Sequence, residues 1–303
     1  RELVKEPTIR KVEEAMRSLG CQMENTVTVS KETQPLIVLN IPGIENAFYQ
    51  EIIRGARVSE KAHGCNLLIH ESHLNKGNML DFCNLLRRVD AAGVILLNRI
   101  SEEALNQIRT IAPLVQCCEY NEHADYPYVS IDDTRAAEIA TEYLLSNGGS
   151  KIALINGPGN FKYAKRRQEG FMNALQKAEV MIPKQWIVQL PEVSYEMAYA
   201  AVCRLLNSDS RPNAFFTISD VFAAAVIRAA KRFRLHVPRD ILVVGFDNIE
   251  LSSMTSPSIT TVNQPKFQMG YTACEMLLEL MEDPHEEMKS LLLDTELVIR
   301  EST

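Results

Sequence analysis

No stretch of the 303-residue chain approaches the roughly 18 consecutive apolar residues of a membrane helix. No secretory leader is visible at its start. Together these set the expectation of a cytoplasmic protein with no membrane partner. Positive charge is not in excess either. The chain carries 32 Lys and Arg against 39 Asp and Glu, a net charge of −7, so bulk electrostatics does not draw it onto nucleic acid. The first residues are no basic arm: Arg1, Lys5, Arg10, Lys11 and Arg17 are offset by Glu2, Glu6, Glu13 and Glu14.

Chemical motifs are scarce as well. The seven cysteines (Cys21, Cys65, Cys83, Cys117, Cys118, Cys203 and Cys274) form no CxxC and no Cys/His ligand set. Most lie inside apolar runs and read as free core thiols in a reducing compartment. The histidines are scattered and make no HExxH, so no metal site is expected. A GxSxG nucleophile elbow is missing. Gly157-Pro-Gly159 lacks the third glycine of a dinucleotide loop, and Pro158 offers no backbone donor, so this reads as a turn. The expectation is a non-enzyme with no cofactor.

What is present is alternation. The length suits two domains, and buried apolar runs alternate with amphipathic segments throughout. Leu36–Ile41, Asn66–His70, Gly93–Leu97 and Leu114–Cys118 read as strands. Asn46–His63, Asn78–Val89 and Ser101–Thr110 read as the helices between them, the last capped by Ser101. After Tyr128–Ile131 the pattern restarts. Helix 133–147, strand Ile152–Ile155, helix 164–178, strand Trp186–Leu190 and helix Tyr195–Leu206 follow. Two further buried runs, Ala214–Ile218 and Ile241–Val244, end in the polar groups Ser219-Asp220 and Asp247-Asn248. A short strand Ile259–Val262, a helix from about Phe267 to Glu282 and a final strand Leu291–Ile299 close the chain. The fold class is α/β, with two doubly wound parallel sheets. A ligand cleft is expected at the carboxyl ends of the strands. Ahead of this core, Ile9, Val12, Met16 and Leu19 make one helical stripe ended by Gly20, and the polar Cys21–Gln34 reads as a linker.

Several stretches resemble the lactose-repressor (LacI) family. Val4-Lys-Glu-Pro-Thr-Ile-Arg-Lys-Val12 with Leu19-Gly20 is similar to the last helix of its helix-turn-helix domain. Asn46-Ala-Phe-Tyr49 resembles the family's Asn-Pro-Phe-Phe. Ile131-Asp-Asp-Thr-Arg-Ala-Ala137, Lys151-Ile-Ala-Leu-Ile-Asn-Gly-Pro158, and Arg167 with Gly170-Phe171 also match. So do Thr217-Ile-Ser-Asp220, Val237-Pro-Arg-Asp-Ile241, Val244-Gly-Phe-Asp247 and Ile259-Thr-Thr-Val-Asn-Gln-Pro265. Each motif is weak alone; their order and spacing are specific, and they span essentially the whole chain. The resemblance implies a periplasmic-binding-protein-like core of two subdomains joined by crossover strands. It divides the chain into a DNA-binding remnant and linker (1–34), one core subdomain (35–131 plus 265–293) and a second (132–264 plus 294–303). It further implies a homodimeric repressor of operator DNA, with its recognition helix before Arg1 and a sugar, polyol or nucleoside effector in the cleft. Cys21–Gln34 departs from the family's hinge-helix pattern, keeping only Asn25 and a loose polar run.

Site candidates follow from the same matches. Arg167 presents a fork of donors suited to vicinal hydroxyls or a carboxylate; the alternative is a solvated cation in Lys165-Arg-Arg167. Asp247, at a strand end, can accept from two hydroxyls, or can serve as a turn carboxylate. Ser219 stands where the family usually carries Asn, leaving space for a larger ligand or a water. Asp220 is either a ligand contact or the cap of the next helix. Gln264 resembles the family's polar crossover residue. Phe48 and Tyr128 are candidate aromatic platforms for a sugar face. Glu119, Glu71 and Asn46 lie at strand ends or helix starts facing the expected cleft. A competing reading is an extracytoplasmic sugar-binding protein of a transporter, which uses the same kind of core. The cysteines and the repressor-like first helix weigh against it.

Overall fold

A computed structural model describes residues 34–283 and 289–303. The expected helix before Gly20, all but the last residue of the Cys21–Gln34 linker, Cys21 and His285 lie outside the described residues.

Two six-stranded sheets carry the core. The first contains β1 (Leu36–Ile41), β2 (Asn66–Glu71), β3 (Ala91–Leu96), β4 (Leu114–Cys117), β5 (Tyr128–Ile131) and β11 (Leu291–Leu293). Its order is β2-β1-β3-β4-β5-β11, with every pairing parallel. The second contains β6 (Ile152–Asn156), β7 (Ile187–Gln189), β8 (Ala214–Thr217), β9 (Leu242–Asp247), β10 (Thr260–Asn263) and β12 (Glu296–Val298). Its order is β7-β6-β8-β9-β10-β12, parallel except for β12, which runs against β10. The doubly wound order 2-1-3-4-5 therefore occurs twice.

Helices α1 (Phe48–Ala62), α2 (Met79–Arg88), α3 (Glu102–Arg109) and α9 (Lys266–Glu282) pack with the first sheet. Helices α4 (Asp133–Ser146), α5 (Lys162–Lys177), α6 (Tyr195–Leu206) and α7 (Asp220–Arg232) pack with the second, and α8 (Leu251–Met254) is a single turn after β9. We call the two assemblies lobe 1 and lobe 2. Strand period decides which residue meets which helix. Ile37, Leu39 and Ile41 share a cluster with Ile52 of α1 and Met269 and Leu277 of α9. Val38 points the other way, to Phe82 and Leu86 of α2 and Leu105 of α3. Each such fully buried side chain contributes about 1.5–3 kcal/mol of transfer free energy.

Helix starts follow local chemistry. Ser101 Oγ accepts from Ala104 N at 3.3 Å, as its sequence position leads one to expect, and Asp132 Oδ1 accepts from Arg135 N at 2.9 Å. Close helix pairs rest on glycine. At Gly170 of α5 a side chain would overlap the Thr134 carbonyl of α4, and at Gly270 of α9 it would overlap the Ile52 carbonyl of α1.

The final strand differs from the sequence expectation. Leu291–Ile299 is not one strand: it breaks at Asp294-Thr295, so β11 completes lobe 1 and β12 completes lobe 2. The chain thus passes between the lobes three times: from β5 to α4, from β10 to α9 and from β11 to β12.

Candidate functional site

The carboxyl ends of strands from both sheets line one cavity. Lobe 1 contributes Asn46 and Phe48 after β1, Glu119 after β4, and Ser130 of β5. Lobe 2 contributes Asp133, Tyr163 and Arg167, together with Ser219 after β8, Asp247 at the end of β9 and Gln264 after β10. The space between them is about 70 Å³.

Arg167 is the centre of the arrangement. It sits inside α5, and its side chain is only 6% exposed. Its Nε donates to Asp133 Oδ1 at 2.9 Å and its Nη1 to the Ile218 carbonyl at 2.7 Å. Asp247 Oδ1 lies 3.6 Å from Nη1. The guanidinium carbon stands 3.5 Å from the centroid of the Phe246 ring and 5.0 Å from that of Tyr163, two cation–π contacts that help fix its plane. No described residue accepts from Nη2.

Asp133 bridges two cations. Besides Arg167 it accepts from Lys162 Nζ at 2.8 Å, and both partners of that pair are 3% exposed. Burial alone would raise the Asp133 carboxyl, but Lys162 and Arg167 outweigh it and hold it below the usual range. Lys162 also reaches Ser130 Oγ at 3.4 Å and lies 4.6 Å over the Tyr120 ring.

Asp247 occupies a backbone conformation that favours glycine, with φ +100°, and Asn248 follows at φ +49°. The turn is held from several sides. Lys266 Nζ donates to the Asp247 carbonyl, to the Asn248 carbonyl at 3.2 Å and to the Gln264 carbonyl at 3.4 Å. Gln264 Nε2 donates to Asp247 Oδ1 at 2.7 Å. Burial pushes the Asp247 carboxyl up, and Arg167 and Lys266 pull it back only in part.

Glu119 has a use that its position in the sequence does not announce. Its Oε2 accepts from Lys162 N at 2.9 Å and its Oε1 from Tyr163 N at 3.0 Å. Phe161, the residue before α5, supplies no side-chain cap. A lobe 1 carboxylate therefore caps a lobe 2 helix. Burial holds the Glu119 carboxyl above its usual range against the pull of Lys162.

Seven of the ten sequence candidates line the cavity: Arg167, Asp247, Ser219, Gln264, Phe48, Glu119 and Asn46. Ser219 also caps α7, its Oγ accepting from Phe222 N at 3.3 Å. Asn46 Oδ1 accepts from Phe48 N at 3.0 Å and starts α1.

Three candidates lie elsewhere. Asp220 is fully buried behind Gly245; its Oδ2 accepts from Ile249 N at 2.8 Å and its Oδ1 from Thr261 Oγ1 at 2.5 Å. It locks β10 to the turn after β9, and the helix cap falls one residue earlier, to Ser219. Glu71 accepts from Ile44 N, in the loop after β1, at 3.0 Å. Tyr128 stacks on Tyr120, with ring centroids 3.7 Å apart. Asp133, Ser130, Tyr163, Tyr49 and Cys118 line the cavity without having been singled out. Tyr163 was within reach of the sequence: it precedes Arg167 by four residues and so shares its helix face.

The chain matches a family model described as a periplasmic binding protein-like domain over residues 141–303. It is 33% identical to the HTH-type transcriptional repressor CytR of Escherichia coli K12, covering 99% of this chain and 89% of that protein. It is 30% identical to catabolite control protein A of Priestia megaterium, covering 99% and 91%. Among solved structures it is similar to a LacI family transcriptional regulator from Enterococcus faecium with bound ribose, at 25% identity and a TM-score of 0.78, covering 88% of this chain and 98% of that one.

Proposed function

The chain belongs to the lactose-repressor (LacI) family of ligand-responsive transcriptional repressors, and we propose that its effector is a small sugar, polyol or nucleoside held in the cavity around Arg167. The carrying observation is the convergence on one space of a plane-fixed guanidinium, whose Nη2 has no described acceptor, and the Asp247 carboxylate from a second strand end. A planar donor fork beside a carboxylate acceptor is suited to a run of hydroxyls. Phe48 from lobe 1 offers an apolar face, and Ser219, Gln264 and Asn46 supply further polar edges. Ribose, bound in the structure of the Enterococcus faecium regulator, is a compound of this kind.

A cavity of about 70 Å³ lies well below the roughly 300–1,000 Å³ of ligand pockets, so the effector enters when the lobes part. A ligand touching both lobes then selects one degree of closure over another. In this reading the chain acts as a homodimer in the cytoplasm, and the altered closure changes how paired DNA-binding heads meet operator half-sites. Repressors similar over 99% of the chain weigh against the transporter reading. The test is a thermal-shift screen of sugars, polyols and nucleosides, since a ligand that binds only the folded state raises its apparent stability. Operator binding is then measured with each hit. A hit that changes operator affinity is expected; unchanged affinity with every binder counts against the regulator reading.

A further inference from the structure

The inventory of charge at the cavity balances. Three carboxylates line it: Glu119, Asp133 and Asp247. Arg167 lines it with them, and two ammonium groups stand directly behind: Lys162 on Asp133, and Lys266 on the Asp247 carbonyl. Three negative charges thus meet three positive ones, all on residues less than a tenth exposed. Asp220, behind Gly245, is largely protonated at neutral pH, because burial pushes its carboxyl up to about 8. Arg166, the neighbour of Arg167 in the chain, is paired with Glu122 and Glu169.

Asp133 controls this balance. It is the first residue of α4, and its two oxygens divide between Lys162 Nζ at 2.8 Å and Arg167 Nε at 2.9 Å. A phosphate group brings close to two negative charges and three acceptor oxygens. Lys162 and Arg167 both bond to Asp133, so one carboxylate opposes both charges.

We propose that Asp133 is a specificity-determining residue: by pairing with both Lys162 and Arg167 it keeps the cavity neutral and restricts the effector to uncharged polyhydroxyl compounds, excluding their phosphate esters. This rests on the reading of the cavity as the effector site. Asparagine at 133 is nearly the same size and keeps one acceptor oxygen. It leaves one cation charge unopposed, facing the ligand.

Matched pairs test this on the full chain: ribose with ribose 5-phosphate, and cytidine with cytidine 5′-monophosphate, by calorimetric titration. The parent compounds are expected to bind about tenfold or more tighter than their esters. Asp133→Asn should shrink that preference by about tenfold. The variant should also acquire a rise in melting temperature with inorganic phosphate that the unaltered chain does not show. Esters that bind the unaltered chain as tightly as their parents overturn the proposal. So does an Asp133→Asn chain with an unchanged preference and no response to phosphate. If that variant does not fold, the preference of the unaltered chain decides alone. Binders that leave operator affinity untouched would remove the regulator function and leave the charge selection standing; equal affinity for esters and parents would do the reverse.

Discussion

Glu119 and Lys162 belong to different lobes, yet the Glu119 carboxylate accepts the Lys162 backbone N–H at 2.9 Å. The second carboxylate oxygen takes the next N–H, that of Tyr163. Orphan donors at a helix start are ordinarily satisfied by the residue just before it. Here the partner comes from 43 residues earlier in the chain, so the cap doubles as a tie between lobes.

Glu119→Gln keeps one acceptor oxygen and loses the other. The expected loss of stability is about 0.5–2 kcal/mol, the range for a helix cap. The lobes should also spend more time apart. Thermal unfolding measures the first effect and small-angle scattering of the ligand-free chain the second; unchanged values in both would remove the tie.

Arg167→Lys is not a conservative change at this position. A lysine cannot reach Asp133 and the Ile218 carbonyl with a flat fork, nor lie flat against the Phe246 and Tyr163 rings as a guanidinium can. Effector binding should be lost while the chain remains folded. Arg167→Ala goes further and breaks a buried ion pair, with a cost of roughly 3–5 kcal/mol. Titration of any ligand found in the screen, beside chemical denaturation of both variants, checks the ordering.

Asp220 makes stability depend on pH. Burial, with the nearby Asp247 charge, raises its carboxyl to about 8 from an ordinary value of 3.8. Between those values the folded chain holds a proton that the unfolded chain has released. Stability from this group is therefore complete at acid pH, falls as pH rises toward 8, and is level above it. Asp220→Asn resembles the protonated form, accepting from Ile249 N and donating to Thr261 Oγ1. Its stability relative to the unaltered chain should climb from pH 5 to pH 8 and then plateau. Denaturant unfolding across that range checks both the slope and its end.

Gly170→Ala places a methyl group against the Thr134 carbonyl. Helices α4 and α5 must separate, so a loss of about 1–3 kcal/mol or more is expected. The change falls beside Asp133 and Arg167, so ligand affinity should drop with it. The matching change at Gly270, between α1 and α9, should lower the melting temperature with a smaller effect on affinity. Melting curves and titrations of the two variants side by side decide this.

Much of the fold was legible because parallel strands covered on both faces read as unbroken apolar runs. Leu36–Ile41, apolar but for Asn40, and Ile241–Val244 read as strands on that ground. Leu291–Ile299 misled for the same reason. It is apolar enough for one strand, and only tertiary pairing shows that three residues join β5 and three join β10. The strand ends carrying polar groups were legible too, but side-chain direction was not. One residue separates Ser219, which faces the cavity, from Asp220, which faces Thr261 and Ile249. Glu119 was found by position, yet its bonds go to backbone N–H groups, which have no residue type to read. Asp133 escaped because both of its partners lie some 30 residues downstream.

The three passages between lobes also bear on how the chain comes off the ribosome. Lobe 1 begins at β1, but its α9 and β11 are encoded after nearly all of lobe 2. Until Met269, Ala273 and Leu277 emerge, the face of the first sheet that carries Ile37, Leu39 and Ile95 has no second helix over it. The amino-terminal lobe is thus the later of the two to close, although it is synthesised first. Truncated chains ending before Lys266 should expose that face to chaperones and proteases for the whole interval in which lobe 2 is made.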